Sequence, residues 1–329
     1  MKTKDIISDA VKVGLSLFLG GAILYWMYRG FDFEAVKHVL LHEMNWWWML
    51  LSFPFGILAQ AFRGWRWKQT LEPVGEHPRS STCVNSIFLS YAVSLLVPRI
   101  GEFARCGVLK RQDGVSFSKA LGTVVTERII DSLLVLAITA IVMITQMSIF
   151  DTFFDRTGFN LGETLSSFSW QGYLVTAICG LAILLLLYFL LRRLAFFQKV
   201  KSTVNNIKQG VLSVRNVRRK WLFAFFTIAI WASYFLHYYL TFFCFEATEH
   251  LGVMCALVTF IVGSIAVIVP TPNGAGPWHF AVKTMLILYG VEDNAALYFV
   301  LIVHTVQTLL VVALGIYAWV GLALTKSRN

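Results

Sequence analysis

The sequence predicts an all-α polytopic membrane protein, and three observations support that prediction. Hydrophobic residues make up 57% of the 329 and charged residues 14%, with a mean hydropathy of +0.67; a soluble globular chain is about a quarter charged. The apolar runs are about 17–25 residues long, the length of a membrane-crossing helix rather than the ~10-residue strands of a barrel. Helices and closed barrels are the two structures that leave no backbone group unpaired in lipid. The basic residues behind the net charge of +10 cluster in short loops beside the spans. That is the positive-inside pattern and not a nucleic-acid footprint.

The elements follow in order. Lys2, Lys4 and Lys12 precede an apolar run that continues through Tyr25, Trp26, Met27 and Tyr28 without a small-residue cleavage site. Residues 12–29 therefore read as a retained first span rather than a signal peptide. Asp32, Glu34 and Glu43 place the 30–44 loop outside. Trp46, Trp47 and Trp48 form an aromatic belt that opens a second span to about Phe62. Arg63, Arg66, Lys68 and Arg79 then mark the inside. Residues 83–97 are too short to cross and break at Pro98, Arg99, Ile100, Gly101 and Glu102, so 83–111 reads as a re-entrant hairpin.

Residues 117–147 run outward to an acidic 150–168 loop, and 172–191 return. From Arg192 to Lys220 there are nine Lys/Arg and no acid. Apolar residues at helical spacing within 196–214 suggest an amphipathic helix on an anionic leaflet; a plain basic loop is the alternative. Residues 221–244 cross outward and 251–269 return. A break follows from Pro270 to Pro277, then a short apolar segment, 278–290, and a last inward span, 294–323. The expectation is seven to eight transmembrane helices plus two re-entrant or broken segments, 83–111 and 270–290. Both termini are placed in the cytoplasm, in a single transmembrane domain, 1–329, of the inner membrane. The five cysteines form no CxxC pair and read as small buried hydrophobes.

Charged residues inside the spans point to chemistry. In the span that opens at Phe117, Glu127 lies about 15 Å along the helix axis and Asp131 about 21 Å, near the middle of a ~30 Å core. At i and i+4 they share one face. Ionised groups at that depth face the protein interior and mark a functional site, unless they form a network that only pins helices together. With Arg128 they leave charge unmatched. Arg99, Glu102 and Arg105, at i, i+3 and i+6, supply a partner if the hairpin tip is helical. Arg99 or Arg105 would then pair with Glu127 and Asp131, leaving a guanidinium free for a lipid phosphate. The Pro270–Pro277 break exposes amides beside a half-helix near Trp278, an anion site by geometry. Paired breaks in the two halves of a membrane protein point to a transporter's binding site. His237, His304, Gln60 and Gln307 read as bonds between helices.

The run Pro98-Arg99-Ile100-Gly101-Glu102-Phe103-Ala104-Arg105, followed by Gly122 through Asp131, resembles the lysylphosphatidylglycerol synthase transmembrane (flippase-like) domain family. That family's second signature, a Pro-x-Pro-Gly-Gly-x-Gly-x-x-Glu turn, is similar to Pro270 through His279. The resemblance implies a stand-alone lipid translocase without the soluble aminoacyl-transferase of the fused relatives. It implies substrate-binding residues Arg99, Glu102, Arg105, Glu127, Arg128, Asp131, Asn273, Gly274, Gly276 and His279, with no cofactor and no metal. Its partners would be anionic or zwitterionic phospholipids and a separate lipid synthase. Asn273 stands where the family has its first turn glycine and His279 where it has an acid. A neutral or protonatable imidazole does not attract a cationic head group as a carboxylate does. Two other classes stay open, a membrane-embedded lipid-modifying transferase and a non-transporting partner of a synthase. The chain carries no HExxH, GxSxG or nucleotide-binding glycine loop.

Overall fold

The computed structural model describes residues 18, 20–29, 32–147, 149, 152, 205–206, 209–210 and 212–325, and among them there is no strand. Eight helices carry the architecture: α1 Trp46–Leu71, α2 Ser80–Leu96, α3 Gly101–Asp113, α4 Phe117–Thr145, α5 Lys220–Tyr239, α6 Val253–Ala266, α7 Pro277–Leu288 and α8 Asp293–Leu324. Three segments of the described chain are long and apolar enough to cross a bilayer. These are Phe117–Thr145, Lys220–Cys244 (α5 with the 3-10 turn that follows it) and Asp293–Leu324. Their outer faces keep large apolar side chains uncovered, such as Leu136 at 65% and Trp319 at 65% exposure, as lipid-facing helices do.

Asn45 starts α1 by accepting the Trp47 amide on its side chain at 3.1 Å, an N-cap that satisfies one of the end amides. The helix runs 26 residues, through Pro54 and past Phe62 to Leu71. The sequence reading ended this span at Phe62 and put Arg63 and Arg66 at the inner surface. Both instead lie within the helix, 3% and 0% exposed. Glycines on α1 let its neighbours approach closely. A Cβ at Gly56 would sit 2.9 Å from the His237 ring on α5, and one at Gly64 would sit 2.7 Å from the Val84 backbone on α2.

The segment expected to form a hairpin, 83–111, is helical, as α2 and α3 joined by the turn at 97–100. Gly101 makes the close return possible, because a Cβ there would collide with the Ser90 carbonyl and the Ser94 hydroxyl. At the open end, Arg79 Nε donates to Asp113 at 2.6 Å. Gln112 donates to the Leu322 carbonyl at 2.9 Å, which ties the hairpin to α8. The second broken segment is also present: α6, a turn containing the 3-10 residues Pro272–Gly274, and α7.

Two apolar clusters flank the middle. One gathers Met49, Phe242, Phe299, Val300 and Val303, and the other Trp67, Leu71, Cys83, Ile87, Cys106 and Leu109. Cys83, Cys106, Cys244 and Cys255 are free and buried, as expected. Residues 20–28 are helical, in keeping with the expected first span. The 150–168 loop, the 172–191 span, the basic 196–214 segment and the C-terminal Lys326 and Arg328 lie wholly or mostly outside the described residues. Within that basic segment residues 205, 206, 209, 210 and 212 are α-helical, and a 3-10 turn, Ser213–Asn216, follows.

Candidate functional site

Seven charged side chains from α1, α3 and α4 meet in one alternating chain. Arg63 Nη1 reaches Asp131 Oδ2 at 2.7 Å, and Asp131 Oδ1 accepts from Arg66 Nη2 at 2.7 Å. Arg66 Nε faces Glu127 Oε1 at 3.6 Å, and Glu127 Oε2 accepts from Arg105 Nη1 at 2.8 Å. Arg105 Nη2 then sits 2.7 Å from Glu102 Oε2, and Glu102 Oε1 lies 3.1 Å from Arg128 Nε. Arg128 Nη2 returns to Asp131 at 4.0 Å. Base and acid alternate throughout, with four guanidiniums against three carboxylates.

Helical spacing sets this order. Arg63 and Arg66 are i and i+3 on α1, Glu102 and Arg105 the same on α3, and Glu127 and Asp131 i and i+4 on α4, so each helix presents its pair on one face. Arg105 is held further by Trp67, whose ring lies 4.5 Å under the guanidinium, a cation–π contact. The Trp67 Nε1–H donates to Thr123 at 2.9 Å and so fixes the ring. A charge this deep is stable only when paired, and the alternation supplies the pairs.

The chain of charges runs from the interior to a surface. Arg66 and Glu127 side chains are fully buried, whereas Glu102 is 29% and Arg128 44% exposed. Those last two line a groove of about 570 Å³, with Arg99 beside them and Phe103, Ile129 and Leu133 along an apolar wall. They also line a second, polar cavity of about 70 Å³ behind, with Arg63, Arg105, Ser90 and Ser94. A groove of this composition suits an amphiphile, with an apolar wall for its chain and charge set into that wall for its head group.

The structure brings Glu102, Arg105, Glu127, Arg128 and Asp131 into one cluster, and of the two partners expected for these acids it uses Arg105, paired with Glu127. Arg99 does not pair with Glu127 or Asp131. The turn at 98–100 is not helical, Arg99 has φ +64°, and its guanidinium donates to the Ile268 carbonyl at 2.8 Å. The partners of Asp131 are Arg63 and Arg66, which the sequence reading had taken as markers of the inner surface. Their i, i+3 spacing among Phe62, Trp65 and Trp67 was the available signal.

Asn273, Gly274, Gly276 and His279 form a separate constellation, and none of them lines the groove. Asn273 (φ +51°) donates from its side chain to Thr308 at 2.8 Å, and its carbonyl lies 3.1 Å from His304 Nε2. The Gly276 N–H (φ +90°) donates to His279 Nδ1 at 3.3 Å. One of the amides expected to receive an anion is therefore capped from within its own helix, by a buried side chain. The His279 and His304 rings stand 4.4 Å apart. The Arg99 bond to Ile268, just ahead of this turn, joins the two broken segments. His237 and Gln307 bond between helices as expected, to Ser52 and to the His237 carbonyl. The Gln60 Oε1 is buried without a hydrogen-bond partner among the described residues.

Comparison with known proteins returned no match among curated proteins and none among solved structures. A family model, that of the lysylphosphatidylglycerol synthase TM region, matches residues 11–315. That match takes in all seven members of the charge chain and both broken segments. With three helices among the described residues long enough to cross a bilayer, this multi-pass membrane protein belongs to the lysylphosphatidylglycerol synthase TM region family.

Proposed function

We propose that this chain translocates a phospholipid or related amphiphile between leaflets of the cytoplasmic membrane. The observation that carries the reading is the groove. Phe103, Ile129 and Leu133 line it together with Arg99, Glu102 and Arg128, so fixed charge is set into an otherwise apolar wall. An acyl chain lies along such a wall without leaving an apolar medium, while a head group meets fixed charge at depth. The buried five of the seven charges hold α1, α3 and α4 in register, and the exposed two are the part a ligand meets first. The bond from Arg99 to Ile268 ties the groove to the second break, and broken segments of this kind move in transporters.

The test is a leaflet assay. The full chain is reconstituted into vesicles holding a trace of fluorescent phospholipid, and a membrane-impermeant reductant quenches the outer leaflet. Inner-leaflet fluorescence should become accessible faster with protein than without it, and Arg128→Gln should return the rate to the protein-free level. Translocation at the wild-type rate in Arg128→Gln would remove the groove from the mechanism. Absence of translocation for every lipid tried would leave the charge chain as a scaffold or as a docking element for a lipid synthase.

A further inference from the structure

We infer that the polar cavity behind Glu102 and Arg128 is a phosphate subsite, and that the amphiphile taken by the groove carries a small, terminal, anionic phosphate. This rests on the translocase reading and adds the head-group class to it. The first observation is an accounting of charge. All six carboxylate oxygens of Glu102, Glu127 and Asp131 face a guanidinium nitrogen within 3.6 Å. Of these oxygens, Glu102 Oε2 and Glu127 Oε1 make no hydrogen bond among the described residues and are held by charge alone, so a cationic or aminoacylated head group would have to displace a guanidinium. An anion finds the reverse, since four guanidiniums offer about twenty N–H donors to about twelve carboxylate lone pairs.

The second observation is where the surplus donors lie. Arg63 and Arg105 are 3% and 1% exposed and both line the cavity of about 70 Å³. The Nε of each is buried with no hydrogen-bond partner among the described residues. Such groups are costly unless a ligand or water satisfies them. The Ser90 and Ser94 hydroxyls and Tyr91 complete the lining. At about 30 Å³ per water, the cavity has room for two or three waters or one phosphate group. Glu102 and Arg128 line the cavity and the groove alike, so a phosphate entering from the groove would take the place of the Glu102 carboxylate on Arg128 and Arg105. Glu102 is thus the competing anion of the site.

The test is native mass spectrometry of the full chain in detergent, titrated with phosphatidate, phosphatidylethanolamine, lysylphosphatidylglycerol or inorganic phosphate. The wild type should hold phosphatidate at least tenfold more tightly than either other lipid. Arg128→Gln should lose that preference, and Glu102→Gln should bind phosphatidate several-fold more tightly. A purely structural Glu102 predicts equal or weaker binding in Glu102→Gln, and that outcome would overturn the inference. So would equal or tighter binding of the zwitterionic or cationic lipid. Inorganic phosphate bound as tightly as phosphatidate would make this a free-anion site and overturn the lipid assignment. Each variant is checked for a wild-type unfolding temperature, and the isosteric Arg128→Met stands in if Arg128→Gln is unstable. In the leaflet assay, movement of other lipids with no phosphatidate preference would refute this inference and leave the translocase reading standing; movement of none would refute that reading.

Discussion

Asp131→Asn tests whether the charge chain pins helices α1, α3 and α4. Asp131 accepts from Arg63 and Arg66 at 2.7 Å each, and those two guanidiniums are 3% and 0% exposed. Removing the carboxylate charge takes from Arg63 its ion pair with Asp131 and leaves Arg66 only Glu127, at 3.6 Å, which also serves Arg105. Removing one partner of a buried ion pair costs about 3–5 kcal/mol, chiefly because the other charge is left uncompensated. Measured hydrogen bonds between membrane helices average only about 0.6 kcal/mol, so the charge effect should dominate. The assay is chemical unfolding in mixed micelles, reported by tryptophan fluorescence, with Arg66→Met and the double variant completing a cycle. Asp131→Asn should lower stability by about 3 kcal/mol or more, and adding Arg66→Met should recover at least about 1 kcal/mol by removing a stranded charge. A loss below about 1 kcal/mol for Asp131→Asn, with additive variants, would mean that the cluster is hydrated and that the helices are held by packing alone.

Other outcomes follow from the same geometry. Arg128→Gln removes a half-exposed partner of Glu102, and exposed pairs contribute about 0–1 kcal/mol; its unfolding temperature should stay within a few degrees of wild type while translocation is lost. Gly101→Ala places a Cβ against the Ser90 carbonyl and should destabilise the hairpin by about 1–3 kcal/mol. Gly107→Ala, on the same helix with open space around it, should be neutral or stabilise by up to about 1 kcal/mol in the same unfolding measurement. Asn273→Gly keeps the positive φ and loses the Thr308 bond, so it should cost about 1 kcal/mol. Asn273→Val opposes the backbone as well and should cost more by thermal unfolding.

The sequence showed the helices wherever hydropathy and length agree, as in Phe117–Thr145 and Asp293–Leu324. It also showed Glu127 and Asp131, because acids one turn apart in an apolar run have no reason to be there except a partner. It did not show the partner's identity for Asp131. Arg63 and Arg66 stand at the end of an apolar run, where position-based counting assigns arginine to the cytoplasm. Only the continued course of α1 to Leu71 shows that they turn inward. Arg99 was placed on a helical face that does not exist, since α2 ends at Leu96, ahead of Pro98, and Gly101 restarts the helix. Glu127→Gln is expected to damage folding, because Glu127 is fully buried between Arg66 and Arg105. The departure at position 273 is also clearer in three dimensions. Asparagine tolerates the left-handed conformation better than other non-glycine residues. Its side chain also adds a tether to Thr308 that a glycine could not make.

The bond from Arg99 to the Ile268 carbonyl is a single charged hydrogen bond at an exposed position. At about 1.5 kcal/mol, the lower end for such bonds, the joined arrangement would outnumber the separated one by about twelve to one. Roughly one molecule in thirteen would then have this bond open before any lipid arrives. A ligand that engages the Arg99 guanidinium would draw on that minority already in existence, and would need only about a tenfold preference for it to bring the two forms into balance.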